Sequence, residues 1–350
     1  MLILGIDTSC DDTSASVVED GRRILSNIVS SQHDIHRKYG GIVPELASRR
    51  HIEMIWPVVD EALSKAQAGL EDISAIAVCC GPGLIGSLLV GVCFAKSLSY
   101  VYNIPLVAVN HLEGHIFSYF LREGGSMVET EFPPWNPEFP FLALVVSGGH
   151  TCLYRVQEFG VYKELGRTRD DAGGEAYDKV AKLLGLGYPG GPVIEKAAEK
   201  GNPQAIKFPR AFLKDSFDFS FSGLKTAVVN FLKNSESGTL TLNQTVQGRL
   251  INDIAASFQA AVIDMLIEKT ISAAKKEKLK RVILTGGVAA NMALRKNIVK
   301  IAEEEDIKVY IPSRHLCTDN GAMIASAGFY HFKARKLANF DLNPKAYLPL

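Results

Sequence analysis

LILGIDTSCDDTSASVV, residues 2–18, decides the architecture, because its pattern returns as FLALVVSGGHTCLYRV over 141–156. Each stretch is an apolar run, a small polar turn and a second apolar run. The first set is Leu2–Ile6, Asp7–Thr13 and Ser14–Val18; the second is Phe141–Val146, Ser147–His150 and Thr151–Val156. Short apolar runs bounded by turn residues read as strands. Two domains that open alike imply the α/β class, duplicated, with a cleft between the halves.

Outward from these stretches, Ile24–Ser30 reads as a third strand. Pro44 opens a helix to about Ala66, with Ile52, Ile55, Val59 and Leu63 at three- and four-residue spacing. Ile73–Cys80 is a strand ending in Gly81-Pro82-Gly83. A helix over Leu84–Tyr102, a strand over Leu106–Val109 and a helix from Asn110 or His111 follow. Pro133, Pro134, Pro137 and Pro140 then stop regular structure. The expected domains are 1–130, 131–318 and a terminal helix and tail at 319–350 that packs back at the domain interface. Further helices are expected at Glu175–Leu184, Ser222–Leu232 and Ile254–Lys275. A strand over Arg281–Leu284 precedes Thr285-Gly286-Gly287 and a helix through Asn291. The last helix is expected from about Asp319 to Lys336.

At 350 residues the length suits about two domains. The chain is 47% hydrophobic and 22% charged, which disfavours disorder. Lys plus Arg equals Asp plus Glu at 38 each, so neither a nucleic-acid coat nor a polybasic membrane anchor is expected. The N-terminus has no basic region and cleavage site, and no run reaches 18 apolar residues, so the expectation is a cytoplasmic protein without a membrane segment. Cys10, Cys79, Cys80, Cys93, Cys152 and Cys317 form no CxxC pair, favouring buried reduced thiols over disulfides or a thiolate zinc site.

His111 and His115 in NHLEGHIFSYF are four apart, which on a helix sets both imidazoles on one face, as metal binding requires. Leu112 stands where a zinc-protease HExxH motif needs glutamate, and Glu113 projects elsewhere around the helix. A two-histidine site needs a third ligand. Asp319 in CTDNG is the candidate, and a helix N-cap is its equally good alternative. Glycine turns at Gly81-Pro82-Gly83, Ser147-Gly148-Gly149, Gly190-Gly191-Pro192 and Gly286-Gly287 stand at element ends, as does the Asp7-Thr8-Ser9 turn, the arrangement of an anion or nucleotide site. No Walker A loop or clean GxGxxG is present. In GEAYDKVAKLLG, Asp178 either suits the helix dipole or turns to a ligand. Basic clusters at His36-Arg37-Lys38, Arg49-Arg50 and Lys275–Arg281 are candidate RNA contacts or solvated faces.

GIDTSCDDT, GGIVPELASRRH, GPGLIGSLLVG, NHLEGH, VVSGGHT, GEAYDKVAKLLGLGYPGGP, FSFSGLKTAV, LTGGVAANMALR and CTDNGAMIA occur in this order. Together they resemble the bacterial TsaD branch of the tRNA N6-adenosine threonylcarbamoyltransferases, related to the archaeal and eukaryotic KEOPS catalytic subunit, over residues 1 to roughly 335. The resemblance implies two actin/sugar-kinase/Hsp70-like (ASKHA) domains. It implies transfer of threonylcarbamoyl from threonylcarbamoyl-adenylate to N6 of adenosine 37, in tRNAs reading codons that begin with A, with release of AMP. By its motifs His111, His115 and Asp319 hold one divalent metal, Fe2+ first and Zn2+ as the alternative. Ser147, Gly148, Gly149, His150 and Thr151 bind substrate with Asp178, Gly191 and Asn291. Glu195 stands where some members have aspartate.

Asp11 or Asp12, in the first turn, is the expected general base for the N6 proton. The implied partners are tRNA, the adenylate, a TsaB-like paralogue and a TsaE-like ATPase, with a homodimer left open. The alternatives are a non-catalytic nucleotide-binding scaffold of the same fold and a metalloprotease, which the missing HExxH disfavours.

Overall fold

The structure is a computed structural model that describes residues 1–123, 138–213, 215–236 and 244–350. Its strands are β1 (Leu2–Asp7), β2 (Asp12–Glu19), β3 (Arg23–Ser31), β4 (Ile73–Gly81), β5 (Leu106–Asn110), β6 (Arg122–Glu123), β7 (Phe141–Val146), β8 (Thr151–Glu158), β9 (Val161–Arg167), β10 (Arg281–Thr285) and β11 (Lys308–Tyr310). Its helices are α1 (His33–Arg37), α2 (Pro44–Ala66), α3 (Ile85–Tyr102), α4 (His111–Phe117), α5 (Gly173–Leu183), α6 (Gly190–Ala198), α7 (Ser222–Glu236), α8 (Gln244–Lys276), α9 (Met292–Glu304), α10 (Arg314–Cys317) and α11 (Gly321–Lys333).

The chain divides into two compact units. The first is Met1–Phe139 with Gln157–Tyr162 and Pro312–Leu350; the second is Pro140–Val156 with Lys163–Ile311. The boundary expected at 130/131 falls on residues outside those described. The segment from 319, set apart in the sequence reading, here belongs to the first unit.

The two units share a five-strand order, to which the first adds the short edge strand β6. In the first the strand order is β5-β4-β1-β2-β3-β6, and in the second it is β11-β10-β7-β8-β9. The leading strand of each pairs antiparallel with the next and parallel with the strand that follows the intervening helices. The echo between residues 2–18 and 141–156 is therefore a duplication of topology.

β4, ISAIAVCCG, is buried along nearly its whole length, as a parallel strand covered on both faces must be. α11 covers one face through small residues. A methyl group at Gly5 would lie 2.7 Å from the Ala325 Cβ, and one at Gly321 would lie 2.7 Å from the Ala15 backbone, so helix and sheet meet at backbone distance. α2 and α3 pack against the sheet too, burying Ile55, Val59, Leu63 and Val92. Ile52, expected on the buried stripe, is exposed.

Sequence periodicity finds α2 at its full extent and β7 without error. It misses β9, β11, α6 and α9. The helix expected through Asn291 is a single 3-10 turn over Gly287–Ala290, after which Asn291 caps α9. Two helical stretches, Ile85–Tyr102 and Gly248–Lys276, are long and apolar enough to cross a membrane by length and composition. α8 packs inside the fold on α6 and α9, while α3 lies on β4 and α2 and leaves Ile85, Leu89, Tyr100, Val101 and Tyr102 exposed. The six cysteines are free; Cys79, Cys80, Cys152 and Cys317 are buried as expected, while Cys93 is exposed and Cys10 half-buried.

Candidate metal centre and glycine-turn site

In the first unit, β5 ends at Asn110, whose side-chain oxygen accepts the Leu112 N–H at 2.9 Å and caps α4. α4 is buried throughout, and His111 and His115 share one face with ring centroids 4.7 Å apart. Asp319 Oδ1 lies 3.5 Å from His111 Nε2 and 3.3 Å from His115 Nε2. The alternative reading of Asp319 as the cap of the last helix is wrong. Asn320 is the N-cap, with its Oδ1 accepting the Met323 N–H at 3.0 Å, so α11 starts two residues later than expected. Asp319, one residue ahead, turns to the histidines instead.

His111 Nδ1 lies 3.2 Å from Asp7 Oδ2 and 3.0 Å from Ser9 Oγ. With Nδ1 engaged by a carboxylate, Nε2 is the nitrogen left to face Asp319. Two imidazole nitrogens and a carboxylate oxygen within 4.8 Å of one another, backed by a second carboxylate, suit a divalent metal with open coordination positions. Burial alone would depress His111, but Asp319 and Asp7 together outweigh it and hold its pKa up to about 9. Burial, and the neighbouring His111, hold the His115 pKa below the usual imidazole range. Asp7, Cys79 and His111 form a second donor group. Burial pushes the Cys79 thiol well up, which leaves it a thiol and a poor ligand. Sequence reasoning set Asp7 in a candidate anion turn and missed its contact with His111, for which its place at the carboxyl end of β1 was the signal available.

Asp11 ends the turn after β1, and Asp12 opens β2. Asp11 Oδ2 is 3.9 Å from His33 Nε2. Asp12 Oδ1 is buried without a hydrogen-bond partner among the described residues. Burial, then Asp11 and Asp319, push the Asp12 carboxyl up to about 8.

The expected substrate residues lie in the second unit: the Ser147–His150 turn follows β7, Thr151 opens β8, Asp178 is in α5, Gly191 and Glu195 are in α6, and Asn291 caps α9 after β10. The Ser147–His150 turn closes on itself through Ser147 N–H to His150 O at 2.8 Å. Gly174 N–H donates to Ser147 O at 3.1 Å, and Gly173 N–H to Thr151 Oγ1 at 2.8 Å, which joins the turn to the start of α5. Methyl groups at Gly148, Gly149, Gly191 or Gly287 would meet nothing within 4 Å. Bare backbone beside the first turns of α5, α6 and α9 suits an anionic or nucleotide ligand.

Three expected contacts have structural partners. Asp178 Oδ1 accepts the Gly190 N–H at 2.6 Å, at the head of α6. Glu195 Oε1 accepts the Met292 N–H at 2.6 Å, at the head of α9. Asn291 Oδ1 accepts the Leu294 N–H at 2.9 Å while its Nδ2 donates to Gln259 at 2.7 Å. These side chains bind the loops around the open glycines to one another.

The basic clusters are largely neutralised. Arg37 pairs with Asp34, Arg49 with Glu45, Arg50 with Glu53, Lys275 with Glu305 and Lys280 with Asp306. His36 is fully buried, with its ring 3.3 Å from Gln32 Oε1.

Among solved structures, the fold is similar to component A of the Acidaminococcus fermentans (R)-2-hydroxyglutaryl-CoA dehydratase, with a TM-score of 0.51, 16% identity and coverage of 96% of this chain and 99% of that one. It is similar also to HypF of T. kodakarensis, with a TM-score of 0.58, 14% identity and coverage of 95% and 48%. These likenesses concern fold alone and agree with the ASKHA class. In sequence, the chain is 59% identical over 350 residues to the tRNA N6-adenosine threonylcarbamoyltransferase of Thermodesulfovibrio yellowstonii, covering all of both chains. It is 50% identical over 351 residues to that of Geotalea uraniireducens, covering all of this chain and 97% of the relative. The family model TsaD, tRNA N6-adenosine threonylcarbamoyltransferase, matches residues 23–326. The chain belongs to the TsaD family of tRNA N6-adenosine threonylcarbamoyltransferases.

Proposed function

We propose that the chain forms N6-threonylcarbamoyladenosine in tRNA. It transfers threonylcarbamoyl from threonylcarbamoyl-adenylate to N6 of adenosine 37, in tRNAs that read codons beginning with A, and releases AMP. The carrying observation is the end-to-end relation to a threonylcarbamoyltransferase at 59% identity.

In this reading the glycine turns of the second unit, Ser147–Thr151 and Gly191, hold the adenylate with Asn291, Asp178 and Glu195 as their bracing. His111, His115 and Asp319 hold one divalent metal, Fe2+ first and Zn2+ as the alternative. When bound, that ion would supply Lewis-acid polarisation of a carbonyl or phosphoryl oxygen. Asp7 and Ser9 orient His111 whether or not the ion is present. The N6 nitrogen attacks the carbamoyl carbon, the bond from that carbon to the phosphate oxygen breaks, and AMP leaves with the bonding electrons. The N6 proton passes to a carboxylate between β1 and the start of β2. Asp12 suits that task because its raised pKa of about 8 makes its ionised form a stronger base than an ordinary aspartate. Asp11 is the second candidate.

The partners are tRNA, a TsaB-like paralogue and a TsaE-like ATPase, and the setting is the cytoplasm. Formation of a homodimer is an outcome for sedimentation to decide. The test of the function is a cell depleted of its own threonylcarbamoyltransferase and supplied with this chain. Recovery of the modified nucleoside in digested tRNA is expected; tRNA that stays unmodified despite soluble expression, with a second family member rescuing, contradicts the reading. Single-turnover transfer tests the base. Loss of at least about 100-fold in Asp12→Ala, or in Asp11→Ala, identifies it, and normal rates in both remove the role.

A further inference from the structure

Glu113 sits between the two ligand histidines in sequence and on the other side of α4 in space. It is a carboxylate only 4% exposed. Tyr162 donates its hydroxyl hydrogen to Glu113 Oε1 at 2.6 Å, and His331 Nε2 lies 2.7 Å from Glu113 Oε2. Both oxygens of a buried acid are thus engaged by groups distant in sequence. None of the three side chains belongs to the donor set or to the glycine turns.

The need for such an anchor follows from α4 itself. Seven residues make two turns, too few for a helix to fix its own position. A ring nitrogen about 6 Å from a helix axis moves roughly 1 Å for every 10° of rotation, and a metal site tolerates about half of that. α4 and α11 touch closely at Gly114, where a methyl group would lie 2.9 Å from Ile324 Cδ1. That contact sets the separation of the helices and does not by itself fix the rotation of α4. Phe117 adds an apolar contact to Tyr330 of α11, with ring centroids 5.1 Å apart, and two polar links grip α11 at opposite ends. Asp319 lies just before it and faces His111 and His115, while His331 in its last turn holds Glu113. Tyr162, from the Gln157–Tyr162 segment of the same unit, fixes the second oxygen.

The geometry assigns Glu113, with Tyr162 and His331, the role of a positioning clamp that sets the rotation of α4 and so holds His111 and His115 in register with Asp319. This rests on the metal reading of those three residues. Glu113→Gln keeps the shape but offers one acceptor oxygen to two donors. Tyr162→Phe removes a single hydroxyl, and His331→Asn removes the ring.

The test uses the full-length chain, freed of metal and titrated with Co2+, with affinity and the visible ligand-field spectrum as readouts and urea unfolding as the check on folding. The expected result is an affinity about 10- to 100-fold weaker in Glu113→Gln, and at least several-fold weaker in Tyr162→Phe and His331→Asn. The spectrum at saturation is expected to shift in the variants, a change that loss of stability by itself does not produce. Should Glu113→Gln fail to fold, Tyr162→Phe and His331→Asn decide the matter. Variants that fold, bind Co2+ within twofold of wild type and show its spectrum overturn the clamp alone. A wild-type chain that takes up no Co2+, as His115→Ala is expected to behave, overturns the metal reading and the clamp with it.

Discussion

An aspartate buried among carboxylates prefers its proton, and Asp12 is in that position, with Asp11, Asp319 and Asp7 all raising its pKa beyond what burial does. Its folded value of about 8 exceeds the ordinary aspartate value of about 4. Its stabilising contribution is therefore fully present below about pH 4 and is lost as the pH rises toward 8. In metal-free protein, Asp12→Asn is expected to exceed wild type in stability by ~1–3 kcal/mol at pH 9, and to match it near pH 4, by urea unfolding. Asp7→Asn bears on the other side of the site. It weakens the acceptor on His111 Nδ1 and is expected to cost about 10- to 100-fold in Zn2+ affinity, measured by competition with a chromogenic chelator. At this scale the sequence was informative about residue type and silent about direction. Histidine spacing on a helix pointed to His111 and His115. No local rule could separate Asp319 as ligand from Asp319 as cap, because that depends on Asn320 taking the cap. The contacts of Asp7 with His111 and of Glu113 with Tyr162 were not legible for the same reason, since those partners lie more than 40 residues away.

Glycines that look alike in sequence divide by what surrounds them. A methyl group at Gly149 has open space, whereas one at Gly174 would lie 2.7 Å from Ser147 O and 2.8 Å from Gly148 Cα. Gly149→Ala is expected to leave stability within ~0.5 kcal/mol of wild type and to weaken binding of a non-reactive adenylate analogue, read by calorimetry. Gly174→Ala is expected to destabilise by ~1–3 kcal/mol through overpacking at the turn. Equal stability of the two would contradict this division. Periodicity found α2 because its apolar positions and its Pro44 start agree. It missed α6 because Gly190-Gly191-Pro192 reads as a turn, although a helix starts there with its Gly190 N–H bonded to Asp178. β9 escaped because VYKELGR has little apolar alternation, and β11 because three residues are too few for a pattern.

The duplicated sheet places two equivalent turns after the fourth strand of each unit, and they end differently. In the second unit Gly287 is open. In the first, the chain's own tail covers Gly81–Gly83, with Lys345 N–H donating to Cys80 O at 2.8 Å, Gly83 N–H to Ala346 O at 3.2 Å and Asn110 Nδ2 to Leu348 O at 3.0 Å. Removal of residues 343–350 is expected to cost about 2–4 kcal/mol in urea unfolding, from three lost hydrogen bonds at about 1 kcal/mol each and newly exposed backbone. Unchanged stability would make the tail incidental. The duplication itself was legible from two short stretches, because strand, turn and strand is a local pattern. The tail was not, since its bonds are made by backbone atoms, which carry no sequence signal. The neutral charge balance predicts that the isolated chain binds tRNA weakly, with affinity falling steeply as salt rises.

Transfer of radiolabelled threonine to tRNA decides whether the chain is a threonylcarbamoyltransferase, with the adenylate donor, the expected partner proteins and wild-type chain run beside His111→Ala. Label on adenosine 37 is expected with the wild type and its loss in the variant, with tRNA binding retained. No transfer by the wild type, with partners that are active alongside another family member, would contradict it and leave a nucleotide-binding scaffold.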